Sequence, residues 1–178
     1  MKIKKEIFKK AANIKLLVSD VDGVLTGGEI IILNNGEEIK IWNVKDGLGY
    51  HELEKISPKI KTAWITGRKS VQVAERAKSM KIDYLVQDCM SKKEALFEIL
   101  KKSGVKLSET AYAGDDIVDM GVMSEAGFSV CPADANDEVK RIADFVSSFN
   151  GGKGVIRETI EIILKAKGEW NNVLKRYK

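Results

Sequence analysis

Ile14-Lys15-Leu16-Leu17-Val18-Ser19-Asp20-Val21-Asp22-Gly23-Val24-Leu25-Thr26 is the stretch on which the fold turns. It begins as a short apolar run and stops at Ser19-Asp20, as a strand buried on both faces of a parallel sheet does. Apolar strands recur downstream at 60–65, 82–86, 110–113, 127–131 and 144–147. Helical segments fill the intervals, at 47–56, 69–79, 91–103, 116–125 and 135–143, and a last helix covers about 153–167. Upstream, about 2–12 reads as a short, lysine-rich amphipathic helix. This alternation predicts an α/β fold, a Rossmann-like three-layer sandwich around a doubly wound parallel sheet.

One segment breaks the rhythm. Glu29–Leu33 and Glu37–Trp42 flank Asn34-Asn35-Gly36, a strong signal for a β-hairpin over about 28–43. Ile30 to Leu33 is apolar at four consecutive positions, so both faces want cover. A two-stranded hairpin in water is marginal by itself, and self-association is the simplest source of cover. Packing back onto its own domain is the competing account.

Composition sets the outer limits. The 178 residues suit one domain, with a C-terminal helix and tail at about 153–178. Apolar residues make up 44% and charged residues 31%, which excludes a disordered chain, collagen and a coiled-coil rod. The net charge of +4 comes from lysines scattered among glutamates, so no nucleic-acid face is expected. Cys89 and Cys131 are too few and too far apart for a zinc knuckle or a disulfide framework. No apolar run approaches the ~20 residues of a membrane helix, and MKIKKEIFKK lacks a signal peptide's apolar stretch. A cytoplasmic protein is the expectation.

In doubly wound sheets, ligands bind at the carboxyl ends of the strands. There the sequence puts Asp20 and Asp22 after the first strand, Thr66-Gly67-Arg68 after the second, and Lys92 beyond the third. Gly114-Asp115-Asp116 follows the fourth, with Asp119 one turn on. Crowded carboxylates hold together only around a cation, and an all-oxygen donor set selects Mg²⁺ over zinc. Alternate side chains of an extended Asp-x-Asp face the same way, so Asp20 and Asp22 can address one substrate atom. One carboxylate can attack phosphorus while the other handles the proton. Thr66 and Lys92 supply a hydroxyl and a positive charge for the phosphoryl oxygens. Metal-dependent phosphoryl transfer through an aspartyl phosphate is the reading of these residues.

DVDGVLT, ITG, a lysine and GDDxxD, in this order and at strand ends, resemble the haloacid dehalogenase superfamily of phosphatases. The resemblance implies Asp20 as nucleophile and Asp22 as general acid/base. It implies Mg²⁺ held by Asp20, the backbone oxygen of Asp22 and Asp115, with Asp116 and Asp119 in support. Thr66 and a lysine would bind the phosphoryl group; Lys92 and Lys93 both stand at that place, and the spacing from Gln87 favours Lys92. About 40 residues separate Thr26 from Thr66, and the hairpin and one helix use most of them, so no cap domain fits. NNGEEIKIWNVKDGLGY, ITGRK and GGKGVIRE narrow the resemblance to the 3-deoxy-D-manno-octulosonate 8-phosphate phosphatases, over about 14–165. These enzymes serve lipopolysaccharide precursor synthesis. In that family the hairpins of four subunits form a central barrel, and a neighbouring subunit covers each active site. The resemblance therefore implies a homotetramer and sugar-acid contacts from Asp46, Gly47, Thr66, Gly67, Arg68 and Lys92. It also implicates Gly151–Arg157, with Lys153 and Arg157 set against the substrate carboxylate.

Two places depart from the family pattern. Gln87-Asp88 stands where Gln-Gly is usual, and Thr26-Gly27-Gly28 lacks a frequent acidic residue. Related phosphatases act on nine-carbon N-acylneuraminate or KDN 9-phosphates; Arg68 after Thr-Gly leans towards the eight-carbon acid. Two readings of other classes compete, a phosphoacceptor receiver domain and a non-catalytic assembly module. A receiver carries its acceptor after the third strand and adjacent acids after the first, unlike Asp20-Val21-Asp22-Gly23. Retention of every motif acid speaks against a silent module. His51 and the tryptophans Trp42, Trp64 and Trp170 read as structural, and Gly151-Gly152-Lys153-Gly154 reads either as a binding segment or as a plain connector. No GxxxxGKS cradle for a nucleotide is present.

Overall fold

A computed structural model describes residues 4–178; the first two residues of the expected N-terminal helix lie outside the described residues. Helix α1 (Lys5–Ala12) leads into β1 (Leu16–Ser19), and the hairpin strands β2 (Ile31–Ile32) and β3 (Glu38–Ile39) come next. There follow α2 (Val44–Ile56), β4 (Lys61–Ile65), α3 (Val71–Ser79), β5 (Tyr84–Val86), α4 (Lys92–Ser103) and β6 (Thr110–Ala113). The chain closes with α5 (Met120–Met123), β7 (Phe128–Cys131), α6 (Asp137–Ile142), β8 (Phe145–Val146), α7 (Val155–Ala166) and α8 (Trp170–Lys175). The helix expected at 116–125 is broken. Asp116 caps a 3-10 turn at Ile117–Asp119, and only Met120–Met123 is α-helical. The tail holds one more short helix, α8.

Six strands pair in parallel in the order β5-β4-β1-β6-β7-β8. The chain builds outward from β1 to β4 and β5, then crosses to β6 on the other side. The switch point therefore lies between β1 and β6, the crevice where such sheets bind ligands. Side chains alternate across the sheet because the strand repeat is two residues. Leu17, Trp64, Ala111 and Phe128 face one core, shared with α1, α2, α3 and α7. Leu16, Val18, Ile65 and Tyr112 face the other, shared with α4, α5 and α6. Trp64 is fully buried, stacked on Trp42 and donating its indole N–H to Tyr50 Oη at 2.8 Å.

The hairpin stands apart from this sandwich. Ile31 pairs with Ile39 and Ile32 with Glu38, and Gly36 closes the turn at φ +84°. Ile30, Ile32 and Ile41 are 53%, 66% and 61% exposed, so the hairpin does not fold back to bury them on its own domain.

Helices α2 and α7 are joined by a buried carboxyl. Asp46 Oδ1 accepts the Arg157 backbone N–H at 2.7 Å, while Oδ2 has no hydrogen-bond partner among the described residues. Burial raises the Asp46 pKa from 3.8 to about 6, against the pull of the α7 backbone amides. A carboxyl raised in this way supports folding while protonated, and its support is lost as pH rises from its unfolded value through the folded one. An Asp46→Asn variant stays neutral throughout. Its stability relative to the parent is expected to improve between pH 4 and 7.5, by about 3 kcal/mol at most. Parallel thermal unfolding of both proteins checks this; a pH-independent difference contradicts it.

Candidate active site

The carboxyl ends of β1, β4 and β6 open into a cavity of about 560 Å³. Asp20, Asp22, Thr66, Gly67, Arg68, Lys92 and Asp115 all line it, with Asp116 at the edge. Of the two candidate lysines, Lys92 points into the acid cluster. Its Nζ lies 2.8 Å from Asp20 Oδ2 and 2.7 Å from Asp119 Oδ1. Lys93 lines the outer cavity and pairs with Glu125. Helix α4 delivers Lys92 in its first turn because Ser91 caps it, accepting the Glu94 amide.

Asp119 is wholly buried and its oxygens are taken. Oδ1 accepts from Lys92 Nζ and from the Tyr112 hydroxyl, the latter at 2.7 Å, and Oδ2 accepts the Asp115 and Asp116 amides at 3.2 and 3.3 Å. It holds the Gly114–Asp116 loop in shape. Asp116 is exposed and spends one oxygen on the Ile117 amide. Asp115 differs: its Oδ1 is buried with no hydrogen-bond partner among the described residues.

Asp20, Asp115 and Asp119 each place an oxygen within 4.8 Å of the others, a spacing that suits a cation. Burial raises the carboxyl pKa of both Asp20 and Asp115. Lys92 opposes this at Asp20, and for Asp115 the neighbouring Asp20 and Asp119 charges add to it. For Lys92 burial alone would pull the ammonium down, yet the Asp20 and Asp119 carboxylates prevail and its pKa is raised. One ammonium is thus shared between the two buried acids of the three, and the orphaned oxygen of the half-buried Asp115 has none. Hard oxygen donors with an unmatched negative charge fit Mg²⁺.

Tight backbone approach brings the loops this close. Gly23 has φ +94°, and a Cβ there would overlap the Asp115 carboxylate. Gly151 and Gly152 pack on the backbone of Gly23 and Thr26, with the Gly152 amide bonded to Val24 O at 2.9 Å. The Gly151-Gly152-Lys153-Gly154 run therefore buttresses the Asp20–Thr26 loop. At the first departure from the family pattern, Asp88 takes φ +56°, a left-handed conformation natural to glycine that aspartate tolerates.

Four expected substrate contacts are not brought to this cavity. Asp46 turns inward to α7, and Gly47 lies against Arg76. Lys153 is exposed on its turn, and Arg157 pairs with Glu161 at 2.8 Å and lies over Trp170. Conversely, the sequence reading missed Tyr112, Glu38 and Lys40. Lys40 is buried with its ammonium on Asp22 Oδ1. The alternation Glu38-Ile39-Lys40-Ile41-Trp42, with polar residues opposite exposed isoleucines, was the available signal.

Residues 51–158 match the haloacid dehalogenase-like hydrolase family. The chain is 40% identical over 164 residues to the 3-deoxy-D-manno-octulosonate 8-phosphate phosphatase KdsC of Escherichia coli (strain K12), covering 92% of this chain and 86% of that one. The chain belongs to the haloacid dehalogenase-like hydrolases. Its fold agrees with a 3-deoxy-D-manno-octulosonate 8-phosphate phosphatase from Moraxella catarrhalis, solved with magnesium, phosphate and KDO. The TM-score is 0.94 at 38% identity, over 97% of this chain and 98% of that one. The cobalt-bound deoxy-D-mannose-octulosonate 8-phosphate phosphatase of Haemophilus influenzae superposes at TM-score 0.85 and 40% identity, over 89% and 92% of the two chains.

A Gly23→Ala variant must shift either its own left-handed backbone or the Asp115 carboxylate. Mg²⁺ affinity by titration calorimetry is expected to fall about tenfold or more while the fold is kept. Unchanged affinity would show that Asp115 needs no such approach.

Proposed function

We propose that the protein is a Mg²⁺-dependent phosphomonoesterase that hydrolyses 3-deoxy-D-manno-octulosonate 8-phosphate to the free sugar acid and phosphate. The observation that carries this reading is one cavity holding two carboxylates on one strand end, a buried lysine and an unsatisfied third acid. The similarity to phosphatases of that substrate supports the choice of sugar acid.

In this reading Asp20 attacks phosphorus and forms an aspartyl phosphate while the alcohol oxygen of the sugar leaves. Asp22 gives that oxygen its proton, then takes one from the water that hydrolyses the acyl phosphate. Thr66 and Lys92 hold phosphoryl oxygens, and the Lys92 charge opposes the rise that burial imposes on the Asp20 pKa. Asp20, Asp115 and the Asp22 backbone oxygen would hold Mg²⁺, which supplies charge neutralisation at the phosphoryl group when bound. Asp119 and Asp116 support the loop. Gly67 and Arg68, at the cavity mouth, join Thr66 and Lys92 as substrate-binding residues.

Exposed apolar side chains on both hairpin strands support association through that hairpin, for which a homotetramer is our reading. Free thiols at Cys89 and Cys131 agree with a cytoplasmic setting, and no described helix is long and apolar enough to cross a membrane.

Phosphate release with and without Mg²⁺ tests the activity, using the octulosonate 8-phosphate beside a nine-carbon 9-phosphate and simple sugar phosphates. Metal-dependent preference for the eight-carbon acid is expected, and preference for the nine-carbon acid would move the substrate while keeping the chemistry. Asp20→Asn is expected to abolish turnover with its circular dichroism unchanged; near-normal activity would remove Asp20 as nucleophile. For the assembly, Ile32→Lys combined with Ile41→Lys is expected to lower the mass measured by light scattering to that of a smaller species. An unchanged mass would place the contact elsewhere.

A further inference from the structure

The contacts around Asp22 close into a ring. Lys40 Nζ pairs with Asp22 Oδ1 and lies 2.9 Å from Glu38 Oε1. Glu38 Oε2 receives Arg68 Nη2 at 2.7 Å, and the Arg68 backbone N–H donates to Thr66 Oγ1 at 3.2 Å. The Thr66 hydroxyl reaches Asp22 Oδ2 at 3.5 Å. Three separate pieces of chain are joined this way: the loop after β1, the second hairpin strand and the loop after β4.

The burial along the ring is uneven. The Lys40 side chain is 1% exposed, whereas those of Asp22 and Arg68 are 23% and 44% exposed, towards the cavity mouth. A buried ammonium stays only where carboxylates compensate it, and here the compensating pair is Asp22 and Glu38. Lys40 occupies one oxygen of Asp22, leaving the other beside Thr66, at the phosphoryl side of the cavity. Glu38 is held down in pKa by its contacts with Lys40 and Arg68, so the bridge between them stays ionised.

We propose that Lys40 is a positioning residue for Asp22, with Glu38 as its anchor, so that the hairpin base sets the orientation of the acid/base carboxylate. This rests on the reading of Asp22 as the group that protonates the leaving oxygen. A proton donor works only when held within hydrogen-bond reach of that oxygen. Without Lys40 the Asp22 carboxylate keeps only the 3.5 Å contact with the Thr66 hydroxyl and is freer to turn about χ1. Lys40 does not reach the substrate; it acts through Asp22.

The test compares leaving groups. An alkyl phosphate such as the octulosonate 8-phosphate needs a proton on its departing oxygen, whereas p-nitrophenyl phosphate releases a stable phenolate. Lys40→Met keeps the aliphatic stem and removes the charge. Its kcat/KM for the alkyl phosphate is expected to fall about 10- to 100-fold, and for the aryl phosphate by less than about threefold. Glu38→Gln, with Lys40 retained, is expected to change both in the same sense and less steeply, and it carries the test if Lys40→Met does not fold. Lys40→Met added to Asp22→Asn is expected to cost nothing further on the alkyl phosphate, because both act through one group. Equal losses on both substrates, an unchanged alkyl rate, or full additivity with Asp22→Asn would overturn the proposal. Asp22→Asn by itself separates the two ideas: if it shows no leaving-group selectivity, the acid/base reading has failed rather than the role of Lys40.

Discussion

Three carboxylates packed at the ends of β1 and β6, with one lysine ammonium among them, are the constraint around which the rest of this structure is arranged. Asp119 is buried completely and takes four donors, so it behaves as a fixed peg for the loop that carries Asp115. Lys92 balances part of the charge from the first turn of α4. What is left over, an unmatched oxygen on Asp115 near Asp20, is a surplus of negative charge that only a cation relieves. Burial first, and neighbouring carboxylate charge after it, raise the carboxyl pKa of Asp20 and Asp115.

Holding such a cluster needs rigid backbone behind it. The parallel sheet supplies it on one side, with β1 bonded along its length to both β4 and β6. Glycines supply it on the other, since Gly23, Gly151 and Gly152 let three loop backbones approach more closely than side chains would allow. The carboxylate repulsion at the strand ends is offset by two apolar cores, one on each face of the sheet. The hairpin adds a second use of charge. Its outer isoleucines face solvent in the single chain, while its inner Lys40 and Glu38 lock onto the loops that carry Asp22 and Arg68. The second hairpin strand thus turns Ile39 and Ile41 away from the cavity while Glu38 and Lys40, on its other face, reach the loops.

Much of this was legible in the residues. Alternating apolar strands and helical intervals marked the sandwich, and the hairpin was marked by Asn34-Asn35-Gly36 between apolar runs. The rim acids were legible because a parallel sheet places every strand's carboxyl end on one edge, so residues far apart in sequence share an address. Less legible were residues whose role depends on direction rather than address. The family resemblance sets Asp46 and Arg157 against the substrate; within the single chain the Asp46 carboxyl accepts the Arg157 backbone N–H, and the Arg157 guanidinium pairs with Glu161. Lys40 looked like one more surface lysine in a chain with many, and only its buried side chain reveals otherwise.

By itself, then, the sequence determined the order of elements, the edge of the sheet that does chemistry and the hard-oxygen character of the donors. These follow from local periodicity and from residue type, which neighbours in the chain suffice to express. Packing in three dimensions chose Lys92 over Lys93, made Asp119 a peg and Asp115 a free donor, and closed the ring through Lys40. Those outcomes depend on which way a side chain points and on whether its partners are already taken. The ring is settled by contacts between segments 18 to 30 residues apart, as with Asp22 and Lys40 or Glu38 and Arg68, whereas Asp119 combines one distant partner, Lys92, with three within seven residues.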